Sequence, residues 1–534
     1  MTDMTSSVLA VRWVSWLQRG AIALAAALLA MTIALVVAER TWQSSAPKTP
    51  EEAFYSASTG TELMPLVVFR VIFDLFPDQF QPAGPDAGDW IDQFGLIRGT
   101  PERNAGLPMG FSLSRHRPRS GSPSPVDFVG LNCSLCHSAR IKRHDDDPGV
   151  IVPGMGTISL DFIAWVDAFK TAVLDERRLT VAAIDDRYRA KYGRGLTLAE
   201  SIMVRLWLAS VRGTMTANLP KTDLPYHGAE LRNAELLPNG PSRTQPFRNL
   251  VRNVLDLPAA TDRAYCKIPT LYEQQDREWG QFDGSVRDRL TRSVLAAVAI
   301  GATPHNLTLD DISEGVTRSI DFTMTLAGPS YAAVFPAEFA QLDPASIARG
   351  AAVYQQHCDR CHGHPEAGRW IKGAQQGQIV PVEELGTDPE RVSFRYMATL
   401  PDSLVAYFDE KNPLRPRRED LRPGPLGTTR GYLNTPIHAA FSHSPFLHNG
   451  SVLTLAELIN LQPRRTLFYR GANNYDPVAA GLVAPEVPDA RRYYRFDTRR
   501  PGNSNAGHDF PWPYHGPGWD QAALEDLLAY LKTI

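Results

Sequence analysis

Two copies of the pattern Cys-x-x-Cys-His constrain this 534-residue chain more than any other feature: Cys133-Ser-Leu-Cys136-His137 and Cys358-Asp-Arg-Cys361-His362. Four of the five cysteines fall in these copies. Two thiols followed at once by a histidine form the spacing that attaches a c-type haem. The thiols add across two vinyl groups and the histidine is carried beneath the iron as proximal ligand. The sequence therefore predicts two covalently bound haem c groups, with His137 and His362 as iron ligands. Neutral imidazole binds iron well, and its second nitrogen needs a hydrogen-bond partner to fix the ring. The remaining cysteine, Cys266, has no disulfide partner within the chain and reads as a small buried apolar residue.

The motifs lie 358 − 133 = 225 residues apart, too far for one small haem domain, and the chain is too long for a single ordinary core. We expect an N-terminal membrane anchor or signal segment at 1–40 and a Pro/Gly-rich wrapping arm at 41–125. A first haem c domain with a helical insertion follows at 126–345, and a second cytochrome c domain at 346–534. Pro82, Pro85, Pro101, Pro108, Pro118, Pro123 and Pro125 break any long helix in the arm. Helical periodicity is found in Leu160–Asp175, Ala199–Val211, Val286–Ile300, Ile347–Cys358 and Ala522–Leu531. No sustained alternation suggests a large sheet. The expected fold is mainly α, with two cytochrome-c-like haem domains, long irregular connections and an N-terminal transmembrane or signal helix. Gly350 and Tyr354 share a face of the helix entering Cys358, and a glycine there lets the terminal helix approach closely, as first and last helices do in small cytochromes c.

The stretch Gly20–Ala38 is apolar and uncharged, nineteen residues that just span a hydrocarbon core of roughly 30 Å. Arg12 and Arg19 precede it and place the N-terminus in the cytoplasm. Val36-Val37-Ala38 also suits a signal peptidase, but the length of the run favours a retained anchor. Both readings export the body to the periplasmic side of the cytoplasmic membrane. A net charge of −3 argues against nucleic acid as a partner.

The sixth iron ligand decides whether a haem only moves electrons or also binds oxygen or peroxide. After His362 the methionine candidate is Met397, and the histidine candidates are His438, His443, His448, His508 and His515. Around the first motif, Met155, His144 and His116 are isolated candidates.

Ser444–Leu455 (SPFLHNGSVLTL) closely resembles a stretch of bacterial di-haem cytochrome c peroxidases. Thr466–Gly481, Phe496–His508, Gly386–Arg391 (GTDPER) and Ile268–Tyr272 (IPTLY) are similar to the rubber-oxygenase-like branch of that superfamily. The resemblance covers about residue 126 to the end. It implies that His508 is the distal ligand of the second haem, with His448 as the runner-up ligand, and that the sixth position of the first haem is open or weakly held. The Asn449-Gly450 turn can instead present His448 to a haem edge or propionate. Gln281-Phe-Asp-Gly284 resembles a W-D-G-N stretch whose aromatic lies between the haems. Phe282 replaces that indole here, with Trp279 a nearby substitute.

The expectation is an exported di-haem oxidoreductase. The His137 haem binds peroxide or dioxygen, and the His362 haem relays electrons from a redox protein or small-molecule donor. The alternative is a membrane-tethered electron-transfer cytochrome with no chemistry of its own. A shared scaffold says little about what enters the pocket, so no substrate follows.

Overall fold

Each of the five periodic stretches is a helix: Phe162–Leu174, Leu198–Asn218, Arg289–Ala299, Pro344–His357 and Gln521–Leu531. The computed structural model describes residues 16, 18–34, 37, 49–100, 106–218, 240–244, 250–257, 265–393, 400–422, 429–486, 492–509 and 520–534. Polar side chains cap several of these helices. Asp161 accepts from Ala164 N, Asp288 from Thr291 N, and Asp343 from Ala345 N and Ser346 N ahead of Pro344, which satisfies amides that have no partner within the helix.

The mainly α expectation is corrected. The described residues are about 45% helix and 14% strand, and their strands form one three-stranded and six two-stranded sheets. Most of these strands are two to four residues long, too short to print an alternating signal on the sequence. The long ones lie where prolines suggested irregular chain. Pro123–Leu131 pairs antiparallel with both Phe111–His116 and Met64–Pro65. The N-terminal membrane helix is corrected as well. Among the described residues no helix is long and apolar enough to cross a membrane.

Residues 50–131 help to build the largest apolar cluster. Phe69, Phe73, Trp90, Phe111 and Trp165 interlock there, with Phe73 and Trp90 stacked at 3.6 Å. Each aromatic pair adds about 0.5–1.5 kcal/mol beyond its area burial. A second cluster mixes both halves of the chain: Ala139, Ile141 and Val152 pack with Tyr354, Phe441, Phe468 and Leu527.

The crossing that Gly350 suggested is present. A Cβ on Gly350 would lie 1.9 Å from Asp526 O, so only glycine permits the contact. Arg349 Nε and Ser346 Oγ both donate to the Asp526 carboxylate, at 2.6 and 2.5 Å, and pin the helices together.

Candidate functional site

The three-stranded sheet delivers the first motif. Strand Pro123–Leu131 runs straight into Asn132, whose side chain accepts from Ser134 N and donates to Tyr55 O, capping the one-turn helix Cys133–Cys136. Gly110 lets the sheet close on this turn, because a Cβ there would meet Leu135 Cα at 2.2 Å. After His137 the chain leaves through strand Ser138–Ile141, paired with Val150–Pro153. The second motif follows helix Pro344–His357 and is closed by Gly363 at φ +74, where a side chain would collide with Ile371 O.

The motif histidines share one arrangement. His137 Nδ1 donates to Pro269 O at 3.1 Å, and His362 Nδ1 donates to Thr435 O at 2.7 Å. A carbonyl only accepts, so each Nδ1 carries the proton and each Nε2 keeps its lone pair. This is the tautomer and orienting partner that metal-bound histidines have. Burial lowers both pKa values, that of His137 to about 4, so the rings are neutral and ready to bind a metal.

His508 faces His362, with ring centres 6.1 Å apart and planes at 55°. A metal–imidazole bond is about 2.0 Å long and a ring centre lies roughly 1.2 Å beyond its nitrogen, so two imidazoles on opposite sides of one iron have centres about 6.4 Å apart. The observed pair fits a bis-histidine haem. Its geometry is held from several directions. Gly507 lies against Thr387 N and Gly386 C so closely that a Cβ would clash. His508 N donates to Leu385 O, and Arg464 Nη1 donates to Asn505 O and Gly507 O. His508 itself takes φ +51, a left-handed conformation that costs a non-glycine residue about 1–3 kcal/mol and persists where the surroundings enforce it. His508 is exposed, yet the protein atoms around it, with His362 and Arg464, push its pKa down to about 4.

The four motif thiols are each partly accessible and undisulfided. Burial pushes Cys133 up to about 11 and Cys136 and Cys358 up to about 12, and it raises Cys361. Redox-active CxxC pairs and thiolate metal sites have depressed pKa values instead. Among the described residues no group of three or more His, Cys, Asp or Glu is placed to hold a bare metal ion. A haem asks the protein for only one or two axial ligands, and the residues present fit it. They would hold it through Cys133, Cys136 and His137 at one site, and through Cys358, Cys361, His362 and His508 at the other.

The other candidates are placed as follows. His448 is buried and stacked on Tyr432 at 4.3 Å, with Nε2 3.0 Å from the Tyr432 hydroxyl, which donates to Asp388 O. Its neighbours do serve the second site: Asn449 Nδ2 and Ser451 Oγ donate to Ser504 O and so anchor the segment that carries His508. His443 Nε2 donates to His438 O, and His438 Nε2 lies 3.2 Å from Asp276. Met397 and His515 lie outside the described residues. Near the first site, His116 has both ring nitrogens engaged, on Gly121 O and Asp311, and His144 is exposed. Met155 is fully buried in the apolar cluster around Tyr272. Trp279 lies under the Arg422 guanidinium at 3.8 Å. Phe282 is half-buried, and its carbonyl accepts from Leu433 N. The indole that reaches a motif histidine is Trp370, whose Nε1 donates to His362 O at 3.0 Å. It stands eight residues past the motif in an unremarked stretch, and no sequence signal marks it. Pro269, by contrast, lies inside the IPTLY segment already singled out.

Residues 51–137 match the family described as Y4iN-like domain, a stretch that ends on His137. The chain is similar to the uncharacterized protein y4iJ of Sinorhizobium fredii (strain NBRC 101917 / NGR234), with 25% identity over 85% of this chain and 86% of that protein. It is also similar to the uncharacterized protein y4iM of the same organism, at 29% identity over 50% of this chain; the match spans 64% of that protein's length.

Proposed function

We propose that the protein is an exported oxidoreductase carrying two haem c groups, with reaction at the His137 site and electron supply through the His362/His508 site. The observation that carries this reading is the pair of facing imidazoles, His362 and His508. They are brought together from positions 146 residues apart (508 − 362), directly beside a Cys-x-x-Cys-His motif. Bound haem supplies one-electron chemistry at iron and, where a sixth position is open, binding of dioxygen or peroxide. The chain's own part is to hold the rings. Pro269 O and Thr435 O keep the Nδ1 protons of His137 and His362 in place, and the Leu385 and Arg464 contacts aim His508. Phe54, Tyr55, Ile97 and Met109, with Leu271 and Phe322, pack against Cys133 and give that site an apolar wall that limits water and charge. Export is part of the reading, because c-type haem is attached on the outer side of the cytoplasmic membrane in the proteins this chain resembles.

The test is haem content and ligation. Protein produced with haem-attachment machinery should retain two haems per chain after acid and organic extraction, measured as pyridine haemochrome, since thioether bonds survive unfolding. One haem, or none, sinks the two-site reading. Carbon monoxide should bind one ferrous haem and leave the other low-spin. If neither binds it, the protein is an electron carrier without chemistry of its own.

A further inference from the structure

Positive charge gathers in the interior of the molecule without matching negative charge. Strand Arg243–Thr244 pairs antiparallel with Cys266–Lys267, in a register that sets Arg243 directly opposite Lys267. Like charges so placed repel, and both residues are buried. Arg470, buried as well, ends the strand Leu467–Arg470 and converges on the same place. The guanidinium carbons of Arg243 and Arg470 lie 4.9 and 5.4 Å from the centre of one ring, that of Phe496.

The hydrogen-bond partners of all three cations are neutral. Arg243 Nη1 donates to Asn503 Oδ1 at 2.8 Å, and its Nη2 donates to Gly502 O at 3.2 Å. Arg470 Nη1 donates to Gly450 O at 3.2 Å and its Nη2 to Ser242 Oγ. Lys267 Nζ donates to His443 O. The Nε atoms of Arg243 and Arg470 are shut off from solvent and have no hydrogen-bond partner among the described residues. Among those residues no carboxylate stands within ion-pair distance of any of the three cations. The acids whose charge reaches them are Asp388 toward Arg243 and Asp161 toward Arg470. Both are engaged by backbone amides, Asp388 by Glu390 N and Ser504 N, Asp161 by Ala164 N. Arg391, a further buried cation, is already matched by Asp283 at 3.4 Å.

A buried charge is costly unless it is paired and hydrogen-bonded. Lysine can respond by losing its proton, and burial, with Arg470 and Arg277, pushes Lys267 down to about 7. Arginine cannot respond in that way, so each guanidinium keeps its charge and its orphaned Nε–H. Three cations against the two carboxylates Asp388 and Asp161 leave one negative charge to be supplied, and a dianion would overshoot it. The ligand must also be small, because even a Cβ on Gly450 would stand 3.1 Å from Arg470 Nη1. A carboxylate offers two oxygens that accept charge-assisted hydrogen bonds from such donors.

We propose that Arg243, Arg470 and Lys267 form a buried binding site for one small free monocarboxylate, of formate or acetate size. The two Nε–H groups and the Lys267 ammonium donate to its oxygens, and binding keeps Lys267 protonated. No covalent bond forms or breaks. The proposal does not rest on the two-haem reading, which the pyridine haemochrome of the same preparation tests separately.

The experiment is isothermal titration calorimetry of the full chain with sodium formate, against sodium chloride at equal ionic strength. Thermal unfolding in the same two salts accompanies it. Wild type should bind one formate per chain and unfold at a higher temperature in formate than in chloride. Lys267→Met and Arg470→Met should each weaken formate binding about tenfold or more, the loss of one hydrogen bond to a charged group. Absence of formate binding by wild type overturns the proposal, and so does wild-type affinity in both variants. If neither variant folds, a crystal structure of wild type grown in formate decides. Formate between Arg243 and Arg470 supports the site. Water there, or a carboxylate belonging to a covalently bound group, overturns it.

Discussion

At the residue scale, the decisive question is which histidine completes the second site. On the proposed two-haem reading, His508→Ala should leave the thioethers of Cys358 and Cys361 intact and convert that haem from low-spin to high-spin. It should also raise its potential, because loss of an imidazole donor disfavours the ferric state. His448→Ala should leave the spin state unchanged, since Nε2 of His448 is engaged by Tyr432. Electronic absorption and electron paramagnetic resonance of the two variants read this directly, and a high-spin signal from His448→Ala alone would reverse the assignment. His116 provides a separate, pH-dependent prediction. Burial lowers its pKa, but the hydrogen bond and charge of Asp311, with Glu62 behind, outweigh burial and leave it raised. A raised folded-state pKa means that the stabilisation is fully present below the unfolded value, near 6.5, and is lost as pH rises through the folded one. His116→Gln should therefore cost about 1–3 kcal/mol at acidic pH and less at alkaline pH, measured by urea unfolding at about pH 5.5 and 8.5. An equal loss at both values would show that the ion pair contributes nothing.

At the element scale, the crossing of helices Pro344–His357 and Gln521–Leu531 sets the frame of the second site. It holds Tyr354 so that its hydroxyl donates to Gly363 O at 2.6 Å, immediately after His362. Gly350→Ala puts a methyl 1.9 Å from Asp526 O, and the helices must separate, at a cost of about 1–3 kcal/mol or more. A fall in denaturation midpoint, together with weakened His362 ligation in the haem spectrum, is the expected outcome; wild-type stability would mean that the crossing is looser than described. These helices were legible in the sequence because their apolar residues recur at helical period. The seven small sheets were not. A strand of two to four residues carries too few alternations to be distinguished from loop, and its pairing is decided by segments far away, as when Met64 pairs with Val129.

At the scale of the whole molecule, the two motifs share one interior. Residues flanking the first motif, Ala139, Ile141, Val152 and Met155, pack in the same cluster as Tyr354, Phe441, Phe468 and Leu527. The molecule should therefore unfold in one cooperative transition: calorimetry, far-ultraviolet circular dichroism and the Soret band should give coincident midpoints. Two resolved transitions would show that the shared cluster contributes little to cohesion.

Sequence alone marked where covalent attachment is proposed and which histidine would serve each site, because the Cys-x-x-Cys-His pattern is written in five consecutive residues. Spacing alone did not choose among the distal candidates; only the resemblance of Gly502–His508 to a family tail favoured one of them. Tertiary structure decided what lies around those ligands. Pro269 and Thr435 become the orienting acceptors of His137 and His362 only when chain segments 132 and 73 residues away fold back. Trp370 reaches the His362 backbone because a hairpin turn and the buried Gln376 hold its indole there. Such partners are set by distances between remote backbone atoms, a quantity that local composition and periodicity do not encode.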